Sequence, residues 1–195
     1  MFSILQQNLV IFSAGNMVRG SGQAAYLLLF LIVTGGLLLS MKMIPTRYRT
    51  GFLSYHRLIS FATLIMILVH GLAFFIDKNQ YLSWADVLVP FWTSHHTGEI
   101  AVGIIAVYTM GVIVVTSFRA IMKKLGWENW RLAHYLAFPC YLMSLYHSVA
   151  LGKSSNALFM SVLYPATASI VIALTALRVW KAVERRRTEN ESSVG

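Results

Sequence analysis

The chain has 195 residues, of which 57% are hydrophobic and only 12% are charged, and its formal net charge is +9 at pH 7. A soluble domain has roughly a quarter of its residues charged, so this composition excludes an ordinary soluble protein and indicates an integral membrane protein. The single cysteine, Cys140, excludes an internal disulfide and any metal site built on several cysteines.

The first twenty residues contain an apolar pattern at helical spacing, formed by Phe2, Leu5, Leu9 and Phe12. The pattern is too short to cross a bilayer and lacks the basic start and cleavage site of a signal peptide. We therefore expect residues 1–23 to form an amphipathic segment on the outer membrane surface, or a tail.

Five later segments are long and apolar enough to cross a membrane. They are Ala24–Met41, Leu58–Ile76, Ile100–Phe118, Leu132–Leu151 and Ala157–Leu177. Their continuous apolar runs exclude the alternating pattern of a β-barrel. The sequence thus predicts an all-α bundle of five transmembrane helices, with a transmembrane domain over residues 24–180 and a polar tail over residues 181–195.

The basic residues predict how the bundle is oriented. Thirteen of the sixteen Lys and Arg residues flank the first loop, the third loop and the C-terminal end, and only Arg19, Lys78 and Lys153 lie on the other side. The positive-inside rule then places the C-terminus in the cytoplasm and the N-terminus outside the cell membrane. The positive charge is accounted for by topology and membrane lipid, and we expect no nucleic-acid partner.

Four histidines lie within or at the ends of these apolar segments. His56 and His70 are 14 residues apart, and His134 and His147 are 13 residues apart. Each spacing spans roughly 20 Å of helix. Because the second and fourth spans run in the same direction, His56 pairs in depth with His134, and His70 with His147. Histidine is rare inside a membrane unless it is functional, and two such pairs are suited to holding two stacked b-type haems.

Helical phase tests this pairing. Fourteen steps of 100° bring His70 within about 40° of the direction of His56, whereas thirteen steps leave His147 about 140° from His134. Pro139 lies between His134 and His147. We therefore expect a kink or a π-type turn near Pro139 to bring both rings to one face.

Two stretches carry a resemblance to a known family. Tyr55–Phe75, with the sequence YHRLISFATLIMILVHGLAFF, and Trp130–Val149, with the sequence WRLAHYLAFPCYLMSLYHSV, resemble the ligand helices of the ferric reductase-like transmembrane domain. This superfamily includes NADPH oxidases, ferric reductases and the haem-binding membrane subunit of methionine sulfoxide reductase systems. The resemblance implies an inner haem on His56 and His134 and an outer haem on His70 and His147.

The resemblance also implies a direction of electron flow, from the cytoplasm to an extracytoplasmic acceptor such as ferric iron. No GxGxxG phosphate loop follows the last span, so we expect a cytoplasmic flavoprotein reductase or membrane quinol as the donor. A haem subunit of a methionine sulfoxide reductase-type system is the main alternative. A non-redox membrane transporter or scaffold is the second.

Further candidate residues flank the histidines. Arg57 and Arg131 lie beside the inner ligands and could pair with haem propionates, although snorkelling to the interface explains either one equally well. His95 and His96 lie in the long outer loop and could receive a metal ion or an acceptor near the outer haem, bond a propionate, or be solvated.

Overall fold

A computed structural model describes residues 14–76, 83–152 and 157–194 of the chain. Its elements, in chain order, are α1 (Ala14–Ser40), α2 (Thr46–Ile76), α3 (Trp84–Leu88), α4 (Thr97–Thr116), α5 (Arg119–His134), α6 (Ala137–Leu151) and α7 (Leu158–Val194). These residues contain no strand. The all-α prediction is therefore confirmed.

Four helices in this part of the chain are long and apolar enough to cross a membrane. They are Gly15–Ser40, Thr46–Ile76, Thr97–Thr116 and Leu158–Ser192. They establish a multi-pass membrane protein. Many large apolar side chains on them are exposed, as on Leu58, Ile65 and Leu72, because the surface of such a bundle faces hydrocarbon rather than water.

The predicted count of five spans differs from the structure at one place. The segment predicted as Leu132–Leu151 is divided between the end of α5 and the 15-residue α6. At about 1.5 Å per residue, α6 is roughly 22 Å long, which is less than a hydrocarbon core of about 30 Å. The helix break at Tyr135 and Leu136 is the reason that this segment does not form one long span.

The ends of three helices also lie beyond their predicted limits. Helix α1 begins at Ala14, so it takes up the second half of the predicted segment 1–23, and the apolar pattern of that segment lies outside the described residues. Helix α2 begins at Thr46 and α7 continues to Val194, through the predicted polar tail. His56 therefore lies in the third turn of α2, rather than at its start, and His134 is the last residue of α5.

Two pairs of helices form the frame of the bundle. Helix α2 packs along α1, and α6 packs along α4, with α7 against α1. The core contains a polar centre in which the Tyr26 hydroxyl shares hydrogen bonds with the hydroxyls of Tyr141, at 3.1 Å, and Thr167, at 2.5 Å. These bonds join α1, α6 and α7 where no water can satisfy the hydroxyls. The Cys140 thiol donates to the Ala106 carbonyl oxygen at 3.4 Å, which links α6 to α4.

Helix α5 differs in character from the spans. Its sequence RAIMKKLGWENWRLAH is polar on average and amphipathic, which is typical of a helix at the membrane surface. Gly126 interrupts it with φ 78° and ψ 162°, in the left-handed half of φ space where a side chain is disfavoured. The second part of α5 carries Trp130 and His134 toward the inner end of α2.

Candidate functional site

His70 and His147 form the pair that the sequence predicts at the outer side, here named the outer pair, and they join α2 to α6. The rings of His70 and His147 lie with their centroids 6.3 Å apart and their planes at 89°. Nδ1 of His70 lies 2.8 Å from the Val18 carbonyl oxygen, and Nδ1 of His147 lies 2.8 Å from the Glu99 carbonyl oxygen. A carbonyl only accepts, so both Nδ1 atoms donate. Each neutral ring then keeps its Nε2 lone pair free, as in most histidines that bind a metal.

The inner pair joins α2 to the end of α5. The rings of His56 and His134 also lie with their centroids 6.3 Å apart, and their planes are at 50°. Trp130 stacks on His134 with centroids 5.0 Å apart, and Trp127 follows at 4.8 Å from Trp130. A short aromatic row therefore runs from Trp127, which is 62% exposed, to the inner pair.

The buried polar atoms without a partner are concentrated at this inner level. In the part of the chain that the structure describes, they are Thr34 Oγ1, His56 Nδ1, Trp130 Nε1 and His134 Nδ1. An unsatisfied buried donor or acceptor costs about 1–3 kcal/mol. Three of the four belong to the His56, His134 and Trp130 stack. The inner site therefore contains buried hydrogen-bonding atoms that no described residue satisfies.

The spacing of the rings fits a group that two imidazoles hold from opposite sides. A bond from a metal to an imidazole nitrogen is about 2.0–2.1 Å long, and a ring nitrogen lies about 1.15 Å from its centroid, so two axial rings have centroids about 6.4 Å apart. Both pairs have 6.3 Å. No group of three His, Cys, Asp or Glu residues able to hold a bare metal ion occurs among residues 14–76, 83–152 and 157–194. The spacing of the rings in each pair is compatible with two imidazoles bound to one haem iron.

The break between α5 and α6 removes the difference of about 140° that a regular helix would leave between the directions of His134 and His147. Leu136 N–H donates to Ala133 and Phe138 N–H donates to Tyr135, both at 3.1 Å and both in i→i−3 bonds. The predicted interruption near Pro139 is present, but its bonds are of the 3₁₀ type and not π-type. Pro139 lies in the first turn of α6, where its missing N–H costs no helical bond. His134 and His147 both face α2, as the phase argument requires.

The predicted arginines, Arg57 and Arg131, lie close to the inner histidines along the chain. Arg57 follows His56 directly in α2 and Arg131 precedes His134 by three residues in α5, and both are exposed. Two further arginines instead hold backbone and aromatic groups. Arg49 donates to the Ile44 carbonyl oxygen at 2.9 Å, and Arg178 donates to the Tyr135 hydroxyl at 3.1 Å, beside the helix break.

The outer loop places His96 near the outer pair. His95 and His96 are both exposed, and Nδ1 of His96 lies 3.9 Å from the Glu99 carboxylate. Glu99 also supplies the carbonyl oxygen that accepts from His147. Glu99 therefore contacts both His96 and His147. The backbone N–H of His95 donates to the Thr93 hydroxyl.

Several site residues were not found by sequence reasoning. They are Trp130, which stacks on His134, and Gly22, which lies against the ring of His70. The 14-residue spacing of Gly22 and Gly36, which equals that of His56 and His70, is the signal that could have identified them as neighbours of the ligands.

Comparison with known proteins gives the family. The family model described as "Ferric reductase like transmembrane component" matches residues 21–145. The chain is 26% identical over 155 residues to the protein-methionine-sulfoxide reductase heme-binding subunit MsrQ of Rhodospirillum rubrum, over 78% of this chain and 70% of that protein. It is 33% identical over 98 residues to the protein of the same name from Polaromonas naphthalenivorans, over 49% of this chain and 43% of that protein. No solved structure matches the chain significantly.

Proposed function

We propose, from the premise that this chain belongs to the ferric reductase-like transmembrane family, that it is a membrane b-type cytochrome that carries electrons across the bilayer. Two bis-histidine haems would hold the electrons, an inner one between His56 and His134 and an outer one between His70 and His147. Haem iron supplies reversible one-electron exchange, and the protein supplies ligation, spacing and a low dielectric.

The observation that carries this proposal is that both histidine pairs have the same ring separation. A separation of 6.3 Å is close to the span of about 6.4 Å expected for two imidazoles on one metal, and it occurs in both of the histidine pairs that the sequence predicts at matched depths. The pairs lie roughly 20 Å apart along α2, since 14 residues separate His56 from His70. With this separation, one pair would lie toward each face of the bilayer.

The resemblance implies transfer from the cytoplasm outward, and the distribution of basic residues supports the orientation that this direction needs. With the basic loops in the cytoplasm, the inner pair faces the donor and the outer pair faces the acceptor. Arg57 and Arg131 are placed beside the inner histidines, where they would pair with propionates. The donor would be a cytoplasmic flavoprotein reductase or membrane quinol.

The relatives favour one acceptor over another. Both are named as heme-binding subunits of a protein-methionine-sulfoxide reductase, so an extracytoplasmic reductase of that kind is the acceptor we favour. Ferric ion at the outer face is the second candidate, and the contact between His96 and Glu99, next to the outer ligand, is the observation in its favour.

The experiment is a reconstitution of the purified chain in proteoliposomes. A pyridine haemochrome measurement should give two haems b per chain, and the absence of haem would instead support a non-redox transporter or scaffold. NADPH alone should leave the haems oxidised, whereas NADPH with a flavin reductase, or a quinol, should reduce them. Reoxidation is then compared between a methionine-sulfoxide reductase and a ferric chelate, and the faster of the two identifies the acceptor.

A further inference from the structure

Three of the four histidine rings lie directly against a glycine of a neighbouring helix. On α1, a Cβ added at Gly22 would stand 2.9 Å from both Cε1 and Nδ1 of His70, and one added at Gly36 would stand 3.5 Å from Cε1 of His56. Because α1 and α2 are antiparallel neighbours, two glycines 14 residues apart meet two histidines 14 residues apart.

Helix α4 brings a glycine against the second ring of the outer pair in the same way. A Cβ added at Gly103 of α4 would stand 2.5 Å from Nδ1 of His147. Gly103 lies four residues after Glu99, whose carbonyl oxygen accepts from the same ring. Gly22 likewise lies four residues after Val18, which accepts from His70. The two outer ligands therefore share one local device, a helical carbonyl followed one turn later by a glycine.

We propose that Gly22 and Gly103 are positioning residues that set the approach and the rotation of the haem-ligating rings of the outer pair, an inference that rests on the proposed haem function. Each removes the side chain that would otherwise occupy the place of an imidazole. At the outer level the carbonyl then holds Nδ1, so both the position and the rotation of each ring are fixed. His134 has Trp130 stacked on it instead.

The distances predict how strongly a Cβ added at each of the three glycines would disturb the neighbouring ring. Real Cβ atoms essentially never approach within 3.0 Å of a ring atom, so Gly103→Ala must displace His147, and Gly22→Ala must displace His70 by less. At 3.5 Å, Gly36→Ala makes only an ordinary van der Waals contact with His56. The order of damage is therefore Gly103 first, Gly22 second and Gly36 last.

Each helix offers its own control. Nothing lies within 4 Å of a Cβ added at Gly111 of α4 or at Gly20 of α1. The experiment measures haem per chain and the midpoint potential of each haem in Gly103→Ala against Gly111→Ala, and in Gly22→Ala against Gly20→Ala. Gly103→Ala should lose the outer haem and keep the inner one, Gly22→Ala should shift the outer potential or lose part of that haem, and both controls should match the parent protein. Unchanged haem content and potentials in Gly103→Ala would overturn the proposal.

A double variant tests the proposal even if Gly103→Ala alone fails to fold. His147→Gly removes the ring that a Cβ at position 103 would strike, so adding Gly103→Ala to His147→Gly should cost no further folded yield or thermal stability in detergent. An equal loss in both backgrounds would show that position 103 matters for helix packing and not for the ring, and would also overturn the proposal.

The outcomes separate this inference from the function on which it rests. A parent protein that contains no haem refutes the function, whatever the glycine variants do. A parent protein with two haems whose glycine variants are indistinguishable from their controls refutes only the positioning role.

Discussion

His70 and His147 face each other with their ring planes at 89°, whereas His56 and His134 are inclined at 50°. If each pair holds a haem, rings crossed at 89° would give the oxidised iron a low-spin signal with larger g anisotropy than rings inclined at 50°. The hydrogen bonds to Val18 and Glu99 hold the outer rings in this crossed arrangement.

We therefore predict two distinct low-spin signals in the electron paramagnetic resonance spectrum of the oxidised protein, the outer haem having the larger maximal g value. His70→Ala should abolish that signal and leave the other. Two indistinguishable signals, or loss of the less anisotropic signal in His70→Ala, would contradict the assignment of ring planes to sites.

The pairing itself is tested by single ligand variants. His70→Ala and His147→Ala should each reduce haem content from two to one per chain and leave the same residual spectrum, since either removes one side of the outer pair. His56→Ala and His134→Ala should leave the other spectrum. The measurement is a pyridine haemochrome assay with redox titration, and a match between His70→Ala and His134→Ala would refute the pairing by depth.

Trp130 supports the inner ligand by stacking on His134. An aromatic pair of this kind contributes about 0.5–1.5 kcal/mol, so Trp130→Ala should weaken inner haem binding by roughly two- to tenfold. Trp130→Phe keeps a stacked ring and should retain most of that binding. Haem retention during dilution in detergent measures the effect, with Trp180→Ala, at an exposed position of α7, as the control. A loss confined to the outer haem would be inconsistent with this role.

Pro139→Ala is expected to act on the inner haem. The proline lies in the first turn of α6, and its replacement supplies an N–H that can donate to the Tyr135 carbonyl oxygen and extend α6 back toward α5. His134 would then rotate away from His56, whereas His147 is held by Glu99 and by the space at Gly103. Redox titration should show a shifted or missing inner potential with the outer one retained. A change confined to the outer haem would mean that the break does not control His134.

The hydroxyl cluster in the core predicts a stability effect without a redox effect. Tyr141→Phe removes the bond to Tyr26 and should destabilise the folded protein by about 0.5–1.5 kcal/mol, the range typical of polar contacts between membrane helices. Unfolding in a mixed-micelle titration measures this, with Tyr55→Phe on the exposed face of α2 as the control. Equal stability of the two variants would show that the bond to Tyr26 contributes nothing net.

The histidines show how much of the structure can be predicted from the sequence. Their spacing, together with the orientation of the spans, was sufficient to pair His56 with His134 and His70 with His147, because the rise of a helix converts residue number into depth. The apolar runs were likewise sufficient for the helical membrane fold. Neither inference depends on which side of a helix contacts which neighbouring helix.

Tertiary structure decided everything that depends on rotation about a helix axis. The sequence alone does not show that Gly22 and Gly103 lie behind the outer rings, that Val18 and Glu99 accept from them, or that the break between α5 and α6 falls at Tyr135 and Leu136 with i→i−3 bonds. A residue's depth is a property of its own helix, whereas the atoms that surround its side chain belong to other helices. Those contacts exist only after the helices have packed.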